Sequence, residues 1–558
     1  MAQEISPKVT PRPPEAFRPF QEFPLESDWD VVIIGAGPNG LIAGAYLAKA
    51  GVKVCVCEAF MEEGGGLQTL ETLFPCYYTN THALYHMMVD YMPVLKDFNL
   101  EAHSLNWIKP NCQTGMIFED GKTILLGRMI ADSFDSISKY SYKDAVKLGK
   151  LMRSWKQMVR EIIGPATYLP PMPPINQVTV FQKTQVGRDL LEIAEMSPLE
   201  LITGTFENDM VRAILLYASC MWGLNSRESG IGFFVPLLLD RNGMNKCYCY
   251  GGSHKFAGAM MKEIVTNGGT VLEACTVTKI LIEKGRAVGV ETDEGLILRS
   301  KAVMSSLDPH TTFLDMVGAE NLDPKLKQII EGWKYDKWSL FSVNVASKEM
   351  PRYVCDDPWI NETFMTIIGF NGLDQVLTNW DNVIEGKVGN DFGGYVTCQS
   401  FFDPHLARMP GGFVSSFQMQ APYEIEGGWE KRRKELEEAA MEKWVRVAPN
   451  MKKENIIMQV TETPEDIERR FPNMRRGGIK HGDYNPLQLG YFRPNSLCST
   501  SKTPVPGLYV CGASAYPGGM VTGGSGYVAI NKVAEDMGIK KWWKPTKEMQ
   551  KYLDTYMK

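Results

Sequence analysis

A chain of 558 residues is long enough for two or three domains with hydrophobic cores of their own. Its composition, 44% hydrophobic and 22% charged, is that of an ordinary globular protein, and a net charge of −6 gives no reason to expect a nucleic acid as a partner. No uninterrupted apolar stretch has the length needed to span a bilayer, and residues 1–27 are polar and rich in proline, without the apolar segment of a signal peptide. We therefore expect a cytoplasmic protein.

The cysteines and histidines indicate neither disulfides nor a metal site. The chain has 12 cysteines and 7 histidines. Neither Cys55-x-Cys57 nor Cys247-x-Cys249 has the spacing of zinc ligands or of a thioredoxin motif. We expect reduced thiols, as in a cytosolic protein, and no bound metal.

The segment from Asp30 to Glu58 has the pattern strand, glycine-rich turn, helix, strand. Residues 31–34 are apolar and β-branched, which suits a strand buried on both faces. Residues 41–50 are small and apolar, as in a closely packed helix that ends at Gly51, and residues 53–57 form a second strand. The turn between the first strand and the helix has the sequence Gly35-Ala36-Gly37-Pro38-Asn39-Gly40, a GxGxxG motif.

Each part of this motif suits a dinucleotide. Gly35 permits the tight turn, Gly37 lets the backbone approach a pyrophosphate, and Gly40 lets the helix pack closely on the strand. The helix N-terminus offers N–H groups and the positive end of a dipole to the phosphates. Glu58, 18 residues after Gly40, ends the second strand, where a carboxylate accepts hydrogen bonds from ribose hydroxyls. A glycine-rich turn alone is weak evidence, but the full pattern predicts a dinucleotide site at residues 35–40 and Glu58.

The residues after Glu58 favour FAD over NAD. They resemble the flavoproteins of the phytoene desaturase and amine oxidase superfamily, in which an acidic residue is followed six residues later by a Gly-Gly pair, here Gly64-Gly65. Many members carry Arg after that pair, whereas this chain has Gly66 and then Leu67, as in the phytoene-dehydrogenase-related branch. The resemblance implies that FAD also contacts Ala59, Gly65, Gly66 and Leu67.

Two further segments resemble flavin motifs of the same family. In the first, residues 251–312, the resemblance implies that backbone groups near Val277 hold the adenine. In the second, residues 507–526, a strand and a glycine-rich turn lead into a helix whose N-terminus is implied to face the flavin pyrimidine ring. The flavin contacts implied there are Gly512, Ala513, Gly519, Met520 and Val521.

Five polar residues near these motifs are candidates for catalysis. His481, Asp483 and Arg493 lie in a phrase that precedes the closing flavin motif in the family, where polar groups can steer a substrate or a proton. Tyr516 stands where relatives often have His, and His82 falls where relatives run a strand and turn past the flavin ring. A structural hydrogen-bonding role is the alternative for these residues.

Two apolar stretches are either core or the wall of a substrate pocket. Met87, Met88 and Met92 form a soft apolar surface with neighbouring tyrosines. Residues 230–239 form a second apolar patch.

The predicted fold class is α/β: a Rossmann-like (GR2-type) FAD-binding domain with an inserted, discontinuous α+β substrate domain. We assign residues 28–139, 241–320 and 475–538 to the FAD-binding domain. Residues 140–240 and 321–474 form the substrate domain, and residues 1–27 and 539–558 form terminal arms.

The resemblance implies hydride transfer between a carbon atom of an apolar, unsaturated isoprenoid, terpenoid or cyclic substrate and flavin N5, as in a desaturase or dehydrogenase. The alternatives are saturation or double-bond isomerisation within the same family, amine oxidation, or a non-enzymatic FAD-binding scaffold. The sequence has one strand–GxGxxG–helix unit, so we expect no separate nicotinamide site. Oxygen, a quinone or another carrier would then reoxidise the flavin.

Further partners stay open at this stage. A homo-oligomer and a hetero-oligomer both fit the sequence. The segment Lys540-Lys541-Trp542-Trp543-Lys544 couples basic charge with two indoles, which suits peripheral contact with a membrane. The alternative is a tail that packs its tryptophans onto the domain.

Overall fold

A computed structural model describes residues 26–409 and 411–558. The predicted arm therefore lies outside the described residues, except for its last two positions. The strands in the described part are β1 (Glu26–Ile34), β2 (Val54–Cys57), β3 (Thr69–Phe74), β4 (Tyr77–Asn80), β5 (Trp107–Ile108), β6 (Cys112–Ile117), β7 (Thr123–Gly127), β8 (Tyr248–Cys249), β9 (Thr270–Leu272), β10 (Val277–Glu283), β11 (Arg286–Thr292), β12 (Ile297–Ser305), β13 (Trp338–Ser347), β14 (Met365–Ile368), β15 (Gly394–Cys398), β16 (Phe413–Pro422), β17 (Ile456–Glu462) and β18 (Leu508–Val510).

The α-helices in the described part are α1 (Pro38–Lys49), α2 (Val94–Asp97), α3 (Ile130–Ser138), α4 (Tyr142–Met158), α5 (Gly164–Ala166), α6 (Pro174–Phe181), α7 (Gln185–Ala194), α8 (Pro198–Thr205), α9 (Asp209–Cys220), α10 (Phe234–Leu238), α11 (His254–Thr266), α12 (Pro324–Glu331), α13 (Leu373–Ile384), α14 (Gln399–Phe402), α15 (Trp429–Val447), α16 (Pro464–Arg470), α17 (Gly524–Met537) and α18 (Lys547–Tyr552).

The first sheet has the strand order β10-β11-β12-β1-β2-β9, and β18 pairs with β12. Strand β1 runs parallel to β12 and β2, and β18 runs parallel to β12. Residues 31–34 of β1 are buried, as their β-branched side chains predict for a strand covered on both faces. The carboxyl ends of β1, β2, β12 and β18 therefore meet at one edge of this sheet, where ligands bind in open α/β folds.

The second sheet has the order β17-β13-β16-β15-β14-β6-β7, in which only β14 and β6 pair in parallel. Strands β6 and β7 lie within residues 28–139, which the sequence analysis grouped with the FAD-binding domain. The structure instead places them in the second sheet, because β6 pairs with β14 across about 250 intervening residues. Weak alternation within residues 112–127 predicts strands but not which sheet they join. The domain boundaries themselves stay a prediction.

The C-terminal segment is packed rather than extended. Trp543 is buried, and Trp542 stacks on Tyr46 with ring centroids 5.4 Å apart. The indole Nε1 of Trp542 donates a hydrogen bond of 3.2 Å to the carbonyl of Tyr46. The arm predicted for residues 539–558 is therefore wrong as a description of this segment, and the two indoles hold it to α1. Among the described residues, no helix has the length and apolar character needed to cross a membrane.

Candidate functional site

A cleft of about 270 Å³ lies at the shared carboxyl edge of β1, β2, β12 and β18. Thirteen of the predicted FAD contacts form part of its wall. They are Gly35, Gly37, Pro38, Asn39, Glu58, Ala59, Gly65, Gly66, Val277, Ala513, Gly519, Met520 and Val521. These residues come from four distant stretches of sequence, so the fold brings together what the motifs predicted separately.

The glycine turn has the geometry of a cradle for a pyrophosphate. Gly35 has a φ of +89°, and a Cβ added to it would lie 2.5 Å from Ser306 Oγ. A Cβ on Gly40 would lie 2.1 Å from the carbonyl oxygen of Gly35, so helix and strand approach too closely for any side chain there. A Cβ on Gly37, in contrast, would meet nothing within 4 Å, because Gly37 faces the open cleft. Helix α1 has no side-chain cap, which leaves its first N–H groups for phosphate oxygens.

Glu58 lies buried at the carboxyl end of β2 and faces the cleft. Its Oε2 accepts a 2.8 Å hydrogen bond from the backbone N–H of Ala36, and its Oε1 accepts one of 3.0 Å from Phe60. Burial raises the pKa of this carboxyl, and the backbone donors oppose that shift. A carboxylate oxygen can accept more than one hydrogen bond, so both oxygens retain capacity for ribose hydroxyls.

The opposite end of the cleft is formed by the turn before α17. Met520 and Val521 have φ values of +66° and +48°, a conformation that is costly for a β-branched residue such as Val521. Helix α17 starts at Gly523 without a side-chain cap. The strained turn and the uncapped N-terminus together present N–H groups and positive partial charge to this end of the cleft.

Four predicted FAD contacts lie just outside the cleft wall. Ala36 binds Glu58 through its N–H, and Gly40 packs under the turn. Leu67 is a buried core residue. A Cβ on Gly512 would lie 2.1 Å from the carbonyl oxygen of Ser306, so Gly512 permits close contact between β18 and the end of β12. These four residues shape the cleft from behind.

Arg493 braces the closing flavin motif from below. Its side chain is fully buried and donates hydrogen bonds to the carbonyls of Ala513, Lys480 and Gln488 at 2.6–3.1 Å. It lines neither the cleft nor the second cavity described below. The geometry therefore favours the structural alternative, because every one of these donors is occupied by backbone.

His481 and Asp483 are separated by the fold although they are neighbours in sequence. His481 lines the cleft, with its Nδ1 buried and without a hydrogen-bond partner. Burial lowers its pKa to about 4, so the imidazole is neutral at neutral pH. Asp483 instead lies in a turn, where Asn485 donates a 3.2 Å hydrogen bond to its Oδ2, and it reaches neither cavity.

His82 and Tyr516 occupy different walls. His82 lies behind Phe471, with ring centroids 5.0 Å apart, and Phe471 in turn lines the cleft. Burial lowers the pKa of His82 to about 3, and its Nε2 has no hydrogen-bond partner. The hydroxyl of Tyr516 donates a 2.7 Å hydrogen bond to the carbonyl of Ala166, and its ring lines the second cavity. Catalytic roles for these residues stay predictions.

The sequence analysis missed a buried ion pair beside the cleft. Lys480 Nζ and Asp336 Oδ1 lie 2.7 Å apart, and both side chains are almost fully enclosed. Burial raises the pKa of Asp336 to about 6, although Lys480 opposes that shift. Lys480 precedes His481 in the wall, whereas Asp336 comes from the region before β13. A lysine and an aspartate 144 positions apart carry no signal of pairing in a single sequence.

A second cavity, of about 150 Å³, adjoins the cleft at its flavin end and shares Gly519 and Met520 with it. Its other walls are mostly apolar and come from α10, from the turn after β4 and from the segment after α4. They include Met87, Met88, Ile163, Phe233, Phe234 and Leu237. Both apolar stretches singled out in the sequence contribute to it, Met87 and Met88 from one and the three residues of 233–237 from the other.

Known structures share this fold. An oxidoreductase from Methanosarcina mazei aligns with a TM-score of 0.58 at 18% identity, over 91% of this chain and all of that one. Cyclohexylamine oxidase from Brevibacterium oxydans aligns with a TM-score of 0.57 at 14% identity, over 92% of this chain and all of that one. The model of the Thi4 family matches residues 18–89, the part that contains the glycine turn. The fold and the cleft are those of a dinucleotide-binding oxidoreductase.

Sequence relatives make the family definite. A limonene dehydrogenase polypeptide from Castellaniella defragrans, named as one of that enzyme's subunits, is 36% identical over 92% of this chain and 96% of its own length. All-trans-zeta-carotene desaturase from Myxococcus xanthus is 24% identical over 88% of this chain and 90% of its own. The chain belongs to the FAD-dependent oxidoreductases of the amine oxidase-like superfamily. Its cofactor is FAD, as the sequence predicted, and the cradle at Gly37 and the uncapped helix termini fit that group.

Proposed function

We propose that this protein is a FAD-dependent dehydrogenase whose substrate is a small, apolar, unsaturated ring of the cyclic terpenoid class. The observation that carries the proposal is the apolar cavity that adjoins the flavin end of the cleft through Gly519 and Met520. The similarity to a polypeptide of a limonene dehydrogenase supports the same substrate class.

The size of the cavity supports a single ring over a long chain. Its volume is about 150 Å³. An apolar cavity of about that volume in another protein takes up one benzene molecule. A six-membered ring with short substituents therefore matches the space, whereas a long polyene needs an extended channel.

Bound FAD supplies the hydride acceptor for such a reaction. The residues of this chain provide position and an environment without water. Phe233 and Phe234 stack with ring centroids 4.4 Å apart and form one apolar wall. The Tyr516 hydroxyl is held by the Ala166 carbonyl, so this wall presents an aromatic ring rather than a free proton donor. Removal of hydride from an apolar carbon needs orientation more than it needs a strong base.

The electron acceptor and the assembly are part of the proposal. The sequence contains one glycine-turn dinucleotide unit, so an external carrier such as a quinone or oxygen would reoxidise the flavin. We expect NADH and NADPH to reduce the enzyme poorly. The relative that is named as one of several subunits favours a hetero-oligomer, with a second chain as the route for electrons.

Anaerobic reduction of the bound flavin tests this function. The FAD-loaded protein is mixed without oxygen with a monocyclic terpene, a forty-carbon polyene, a cyclohexylamine and NADH, and the yellow absorbance is followed. The proposal expects rapid bleaching by the monocyclic terpene alone. Faster bleaching by the amine would make it an amine oxidase, and bleaching by NADH would favour a saturating reductase. No bleaching by any substrate would leave a FAD-binding scaffold.

A further inference from the structure

The mouth of the apolar cavity lies on a surface with exposed apolar side chains. Helix α6 carries Ile175 and Val178, whose exposed fractions are 72% and 42%. Gln177 of the same helix lines the cavity. Across the mouth, Leu487 is 78% exposed, and the next residues along, Leu489 and Gly490, line the cavity. Large apolar side chains around one opening indicate a surface that meets an apolar partner.

Basic charge is concentrated beside α6. The ring of Phe181, at the end of α6, contacts that of Tyr556 with centroids 5.3 Å apart, and the Lys183 ammonium lies 3.4 Å from the carbonyl oxygen of Lys558. Residues 540–558 contain six lysines against Glu548 and Asp554, in a chain whose net charge is −6. Lys551 pairs with Glu161 and Lys558 with Asp554, but both lysines stay more than half exposed.

From this arrangement we propose that the face formed by α6, Leu487 and the C-terminal lysines docks on a lipid bilayer that contains anionic lipids. The exposed apolar side chains would enter the acyl boundary, and the lysines would face the headgroups. The cavity mouth would then open toward the phase into which an apolar molecule partitions. This last step rests on the proposed function, whereas the docking itself does not. The surface differs from the one predicted at residues 540–544, because Trp542 and Trp543 are packed on α1.

Charge complementarity favours the bilayer over a protein partner as the occupant. A protein interface of this kind would need an acidic, apolar counterpart, whereas an anionic bilayer supplies both features over any area. A partner chain is therefore the alternative outcome of the test.

Vesicle co-sedimentation of the FAD-loaded protein tests the docking without substrate. The vesicles are phosphatidylcholine alone or phosphatidylcholine with phosphatidylserine. We expect binding to the second kind that weakens with salt, and a loss of roughly tenfold or more in the double variant Ile175→Asp/Val178→Asp. The matched control is Val354→Asp, which changes a valine that is 69% exposed elsewhere on the chain. Lys183→Gln/Lys547→Gln should weaken binding to the anionic vesicles only.

Retained yellow absorbance shows that each variant is folded. The docking proposal is wrong if the wild type binds neither vesicle, or if the double variant binds as well as the control. It is also wrong if the double variant leaves vesicle binding unchanged but dissociates an oligomer in light scattering, because the face is then a protein interface. Bleaching by a terpene dispersed in detergent is measured separately, so failure to dock and failure to react are distinguished.

Discussion

The nucleotide cleft and the apolar cavity meet at Gly519 and Met520, yet they are built in different ways. The cleft is made mainly of backbone: glycines without side chains, strand ends and two uncapped helix N-termini. The cavity is made of side chains from segments more than 400 positions apart, from Met87 to Thr522. Backbone recognition requires particular residues at fixed spacing, whereas an apolar wall can use many side chains. One region therefore has a sequence signature, and the other has only hydrophobicity.

The ion pair that joins the two regions gives the largest expected effect. Asp336→Leu leaves the Lys480 ammonium buried without its partner, so we expect the free energy of unfolding to fall by about 3–5 kcal/mol. Urea unfolding measures this. The double variant Asp336→Leu/Lys480→Met removes both charges and should recover most of the loss. A double variant as unstable as the single one would show that the pair is not the cause.

The cleft is tested most sharply at Gly37. Because a Cβ there would meet nothing within 4 Å, Gly37→Val should fold normally and yet place a side chain where the pyrophosphate lies. We expect at least a hundredfold weaker FAD binding, about 2.8 kcal/mol. Gly149→Val, also in open space but on α4, is the matched control and should keep its FAD. Full FAD content in the Gly37 variant would contradict the assignment of the cleft.

Glu58 tests the ribose end of the same cleft. Glu58→Ala leaves the N–H groups of Ala36 and Phe60 and the ribose hydroxyls without their acceptor, at a cost of about 1–3 kcal/mol in FAD binding. Titration of the apoprotein with FAD gives the affinity, and Glu58→Gln should lose less. Equal affinity for the three proteins would remove Glu58 from the site.

The histidines beside the cleft predict a pH dependence of stability rather than of chemistry. Burial lowers the pKa of His86 from 6.5 to about 3 in the folded protein. Below pH 6.5 the unfolded chain binds a proton that the folded chain does not, so stability is full above that pH and falls on acidification. Between pH 7 and pH 5 this one residue should cost about 2 kcal/mol. His86→Gln should flatten the slope, as urea unfolding at both pH values would show.

The sequence predicted the parts of the fold that depend on backbone geometry. The β1–α1–β2 unit, Glu58 and the turn before α17 follow from residues whose types are dictated by a positive φ, a close approach or a free helix terminus. The assignment of β6 and β7 to the second sheet did not follow, because pairing with β14 is a long-range choice without a local pattern. Arg493 and Asp483 were candidates for catalysis because of their position in the sequence. Only the structure shows that the hydrogen bonds of Arg493 go to backbone carbonyls.

The division of labour between the two regions is tested most directly at Phe234. Phe234 lines the cavity but not the cleft, and Phe234→Trp narrows the space beside Gly519 and Met520. The measurement is the anaerobic rate of flavin bleaching by a monocyclic terpene, together with the FAD content of the purified variant. The account predicts unchanged FAD content and a bleaching rate that falls roughly tenfold, about 1.4 kcal/mol. Loss of FAD, or an unchanged rate, would contradict the claim that the cleft holds the cofactor while the cavity selects the substrate.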